Sequence, residues 1–174
     1  MTNSATHLPE PDCLPCLSSQ TWGWDNIVVE QFQHPAGEGN CHYNNDHTIC
    51  LSLAPRPVRL LQIQGGKSYT GLYSKGDISI TPAKVPFFAR WDGEDHYLQI
   101  RIASRFIQTV ASEALAINPD RLELLPESKI RDSQIEAIGM MLLTELQQGN
   151  LGSKLYIESL ANVLAIHLIR QYAG

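Results

Sequence analysis

From Asn26 to Ile102 the chain runs in short stretches in which apolar and polar residues alternate, each closed by Gly or Pro. Short stretches rich in β-branched and aromatic residues with period two predict strands. They fall at Ile27–Phe32, Thr48–Leu53, Val58–Gln62, Ser68–Tyr73, Asp77–Thr81, Pro86–Trp91 and His96–Ile102. Turn signals separate them, at Gln64-Gly65-Gly66-Lys67, Ser74-Lys75-Gly76-Asp77 and Trp91-Asp92-Gly93-Glu94-Asp95. The connections are too short for crossover helices. An antiparallel sandwich or barrel is therefore expected rather than βαβ units.

After Ala103 the period lengthens to that of a helix. Ser104–Leu115 opens on a Ser that suits an N-cap and stops before Asn118-Pro119. Arg131–Gly149 sets Ile135, Ile138, Leu142 and Leu146 on one face and ends on a Gly suited to a C-cap. Leu151–Gly174 carries the stripe Ile157, Leu160, Leu164 and Leu168, widened by Tyr156, Val163 and Ile166. So wide an apolar surface exceeds what one partner covers. It predicts a helix pressed on the barrel and on a second helix, from the same chain or from another copy. Residues 1–24, rich in Pro, Ser, Thr and Asn, read as a tail or arm. Residues 25–103 form the strand-rich unit and 104–174 the helical one.

Composition narrows the function classes. The net charge of −5 over 174 residues gives no cationic surplus for phosphate binding. No apolar run approaches the roughly 18 residues of a membrane span. The N-terminus has neither a basic segment nor an apolar one, so a cytoplasmic protein is expected. Four cysteines in a chain of this length are not needed as disulfides.

The candidate chemistry is sparse. Cys13-Leu14-Pro15-Cys16 lies in the tail, not at the strand-to-helix turn that lowers a redox thiol. His47 shares a strand face with Ile49, Leu51 and Leu53, and His96 shares one with Leu98, Ile100 and Ile102. Each thus starts an apolar column expected to face inward, where the two would meet at a barrel mouth or sit as satisfied rim residues. His167 lies inside the last helix. A cupin-type metal centre needs three or four converging ligands. Gly76–Pro82 matches the opening of the second cupin motif, but no His follows at the required distance and the first motif is absent. No metal and no cofactor are therefore expected. A Ser nucleophile elbow is also missing, and Gly65-Gly66-Lys67-Ser68 fits a hairpin better than a phosphate loop. Aromatic walls with a few polar groups suit small organic ligands. Tyr69, Tyr73, Arg90, Trp91, His47 and His96 would serve as such a set, or as ordinary packing.

The stretch Tyr69–Pro82, followed by Pro86–Trp91, resembles the sensor half of AraC/XylS-type transcription regulators, and Leu164–Tyr172 is similar to the helix that ends such halves. The resemblance implies an α+β fold: an antiparallel cupin-like barrel of the double-stranded β-helix type, followed by a helical region. It implies a small-molecule effector in the barrel mouth and a homodimer through the C-terminal helices, at Ile157, Leu160, Leu164, His167 and Leu168. DNA contact would come from a helix-turn-helix domain expected after Gly174, and Trp22 and Trp24 would end an arm over the ligand. The expectation is a non-enzymatic sensor; the alternative is a stand-alone cupin enzyme, a metal-dependent oxygenase or an isomerase.

Overall fold

The computed structural model describes residues 14–149 and 151–174, and the backbone of 5–7. Cys13 of the CxxC pair lies outside the described residues. The strands are β1 (Ala5–His7), β2 (Leu17–Ser18), β3 (Ile27–His34), β4 (Gly37–Tyr43), β5 (Asp46–Ser52), β6 (Val58–Gln64), β7 (Lys67–Tyr73), β8 (Ile78–Thr81), β9 (Phe87–Trp91), β10 (Asp95–Ala103) and β11 (Glu127–Ile130). The helices are α1 (Ser104–Ala114), α2 (Ser133–Gln148) and α3 (Ser153–Tyr172). All pairings are antiparallel, in one sheet ordered β1-β4-β9-β6-β7 and another ordered β11-β8-β5-β10-β3-β2. Residues that composition marks as a tail supply the short strands β1 and β2. The helical part returns one strand, β11, to the edge of the second sheet.

The register of the six-stranded sheet explains its burial. Ile100 stands opposite Val29 on one side and Ile49 on the other, and Ile49 stands opposite Ile80. Leu98, Leu51 and Ile78 form a parallel row, so one face of the sheet is almost wholly aliphatic. That face and the apolar stripes of α1, α2 and α3 share a single core containing Ile107, Ile135, Leu142, Ile157 and Leu164. Each such side chain contributes roughly 1.5–3 kcal/mol on burial. Gly139 permits the close approach of α2: a Cβ there would lie 2.9 Å from Leu51 Cδ2. The other face of the sheet carries polar and aromatic residues and looks toward the five-stranded sheet.

Asp132 starts α2. Its Oδ1 accepts the main-chain N–H groups of Gln134 and Ile135, both at 3.0 Å. Its Oδ2 lies 2.7 Å from His167 Nε2 and accepts the Tyr172 hydroxyl at 2.5 Å. The cap of α2 thereby holds the end of α3.

Packing within the chain engages the residues expected at the dimer face. Ile157, Leu160, Leu164 and Leu168 are all buried within the chain, Leu164 to 0% exposure. His167 is engaged by Asp132. These five residues are consumed by intramolecular contacts, because α3 lies against α1, α2 and the sheet. Outward, α3 instead presents Leu155 at 69%, Tyr156 at 42% and Val163 at 46%, and α2 presents Met140 and Met141. Among the described residues no helix is long and apolar enough to cross a membrane.

Candidate functional site

The two sheets enclose a cavity of about 110 Å³, partly open to solvent. Its walls follow from strand parity. With Ile49, Leu98 and Ile100 facing the helices, the intervening residues must face inward. The six-stranded sheet thus contributes Thr48, Cys50, Ser52, Ser79, Thr81, Asp95, Tyr97 and Gln99 to the cavity. The opposite wall carries Leu60, Gln62, Tyr73, Phe87, Ala89 and Trp91.

One side of the lumen is tied to β11. Tyr73 Oη donates to the Ser128 carbonyl at 2.5 Å, and the Gln62 amide donates to the same carbonyl at 3.1 Å and to Tyr73 Oη at 2.8 Å. Gln64 donates to the Glu127 carbonyl at 3.3 Å. Asp77, also in the wall, accepts Arg131 Nε at 2.8 Å and the Ser74 N–H at 2.7 Å. Further along β10, Arg101 lies 3.5 Å from both Glu30 and Asp46, with its guanidinium 4.3 Å above the Tyr43 ring. Burial pushes the Cys50 thiol up to about 12, which keeps it protonated and poorly nucleophilic.

The remaining part of the lumen is aromatic. His34 sits 5.7 Å from the rings of both Trp91 and Tyr97, and its Nε2 is 3.2 Å from Tyr97 Oη. Phe32 stacks on Tyr97 at 5.2 Å. The Trp91 indole N–H donates to the Pro35 carbonyl at 2.6 Å, which fixes the ring. Asp95 stands directly across the sheet from His34. Burial raises its carboxyl to about 6, partly offset by the His96 N–H.

Of the residues singled out by sequence, Tyr73 and Trp91 line this cavity. Tyr69 lies on the same face as Tyr73 and meets it edge-on at 6.5 Å, but it is exposed on the edge strand. Arg90 is on the outer face, paired with Glu38 at 3.0 Å. His47 and His96 begin the apolar columns as expected, but those columns point at the helices and not into the lumen. His47 Nδ1 accepts the Ala83 N–H at 2.9 Å, and Gln31 donates to His96 Nε2 at 2.7 Å. The two rings are therefore not brought together across the lumen. His34, Gln62, Asp95, Tyr97 and Gln99 were not singled out. Their signal was the polar half of the same alternating runs. Among the described residues no group of three or more His, Cys, Asp or Glu side chains converges as metal ligands would.

No family model and no curated relative matches the sequence. Solved structures are similar in fold. The AraC-like transcriptional activator CuxR superposes with a TM-score of 0.57 over 99% of this chain and 72% of its own, at 10% identity. Oxalate decarboxylase from Bacillus subtilis gives 0.40 over 68% of this chain at 9% identity, and this chain spans 34% of its length. Protein NMB1881 from Neisseria meningitidis gives 0.41 over 54% of this chain and 88% of its own, at 10% identity. The fold is an α+β one, a cupin-like antiparallel barrel followed by a helical region.

Proposed function

We propose that the chain is the effector-sensing and dimerisation domain of a cytoplasmic bacterial transcription regulator of the AraC type. The observation that carries this reading is the lumen, whose wall hydrogen-bonds the strand leading into the helices, in a fold that aligns along its length with an AraC-like activator. A small molecule in the barrel would compete for Tyr73 and Gln62 and so bias the position of β11. Such a ligand shifts an equilibrium only by its differential affinity for the two arrangements. The helices would pair two copies through the exposed side of α3, around Leu155, Tyr156 and Val163. Two-fold pairing sets the spacing of two DNA-binding halves, which would lie in a separate helix-turn-helix domain. No cofactor and no catalysis are required.

The test is an unbiased screen of small metabolites by thermal shift, with titration calorimetry of each hit. The reading expects a compound that raises the midpoint, is recovered unchanged, and loses affinity in Trp91→Ala. Conversion of the hit into a product, or stoichiometric metal in the purified protein, would replace the sensor by a cupin enzyme.

A further inference from the structure

We infer that the lumen takes a small organic cation, a primary amine or amidinium, with its charge against Asp95 and its body against Trp91 and Tyr97. This rests on the sensing reading and names the ligand class. The first support is the sign of the wall. Asp46, Asp77 and Asp95 line the cavity, and among the described residues no lysine or arginine does. Two of these have cationic partners, Asp46 in Arg101 and Asp77 in Arg131. Asp95 is 8% exposed, and among the described residues no lysine or arginine pairs with it. A buried carboxylate in that state favours a positive ligand and penalises a carboxylate or phosphate.

The second support is a hydrogen-bond acceptor. Gln99, 7% exposed and lining the lumen on the same face of β10, has its Oε1 buried with no partner. The lumen thus offers an acceptor that lacks a donor, which an ammonium or amidinium supplies. The third is the ring geometry around Asp95. Asp95 and Tyr97, two apart on β10, share the inward face, and Trp91 lines the same cavity, so the carboxylate and the two aromatic rings open on one lumen. Electron-rich ring faces beside a carboxylate attract a desolvated cation.

The experiment compares matched probes on the 174-residue chain by titration calorimetry: butylamine, butanol and butyrate, then 2-phenylethylamine, 2-phenylethanol and phenylacetate. At least one amine is expected to bind roughly tenfold or more tighter than its alcohol, equivalent to about 1.4 kcal/mol, with its acid weaker still. Asp95→Asn, which keeps the side-chain shape, is expected to bring amine and alcohol within about threefold, while Trp91→Leu weakens both. An acid or alcohol that binds as well as its amine overturns the cation class and leaves the sensing reading standing. Binding by none of the probes also overturns the class, since the sensing reading is judged by the metabolite screen. Amine binding unchanged in Asp95→Asn would refute the assigned carboxylate.

Discussion

The Tyr73 hydroxyl and the Ser128 carbonyl are joined at 2.5 Å, so a residue of the cavity wall holds the strand that leads to α2. Two residues beyond β11, Asp132 caps α2 and binds His167 and Tyr172 near the end of α3. Arg131, between them, returns to Asp77 in the cavity wall. Lumen and helix ends are therefore connected by hydrogen bonds over a few residues of chain.

Tyr73→Phe removes the donor and leaves the Ser128 carbonyl with Gln62 alone. A cost of about 1 kcal/mol is expected in urea unfolding. Amide exchange at β11 should speed up more than at β8, its neighbour. Equal protection in both strands would mean that the hydroxyl does not hold β11.

Leu164→Asp and Val163→Asp separate core from surface on adjacent residues. The first places a charge at a position with 0% exposure and should cost more than about 4 kcal/mol, enough to prevent folding. The second alters stability by about 0.5 kcal/mol or less. If the outer side of α3 pairs two copies, wild type sediments as a dimer and Val163→Asp as a folded monomer. A folded dimer in both Val163→Asp and Leu155→Asp would place the interface elsewhere.

Asp132→Ala strips the cap from α2 and the partner from His167 and Tyr172. A loss of about 2–4 kcal/mol is expected from the cap and the charged hydrogen bonds together. Asp132→Asn keeps capping capacity and should lose less. Thermal unfolding of the pair checks the order.

Burial raises Asp95 from 3.8 to about 6 and lowers His47 from 6.5 to about 4, and the two act on stability with opposite sign. For Asp95 the folded state holds the extra proton. Its contribution is full below 3.8 and lost as pH rises through about 6. For His47 the unfolded state holds it, so that contribution is full above 6.5 and lost as pH falls through about 4. Asp95→Asn is therefore expected to match wild type at low pH and exceed it by about 1–3 kcal/mol at neutral pH. Chemical denaturation across the range measures this. A neutral-pH variant no more stable than wild type would show that the carboxylate is not strained by burial.

Much of the fold was legible because burial enforces periodicity. The aliphatic positions of β3, β5, β8 and β10 are required every second residue, and those of α2 and α3 recur at helical spacing. β4 was not legible: Gly37-Glu38-Gly39-Asn40 has no alternation, and its pairing with β9 is a long-range relation. The candidate site was half legible for a deeper reason. Alternation shows that a strand has two faces, but not which one is the lumen. His47 and His96 were assigned inward because their columns are apolar, yet an apolar column is what a covering helix demands. The stripes of α1, α2 and α3 needed an aliphatic partner, and the six-stranded sheet supplies it. That left Thr48, Cys50, Ser79 and Gln99 to face the cavity.

The two-faced sheet also governs how such a domain can diverge. Residues that secure the helices and residues that meet the lumen alternate along the same strands, so their substitutions are nearly independent. Exchanges at Thr48, Ser79, Asp95 or Gln99 leave the Ile49, Ile80, Leu98 and Ile100 rows untouched. A lineage can thus trade one ligand preference for another without first accumulating stabilising changes. A designer can randomise the inward positions as a library while the outward ones are held constant.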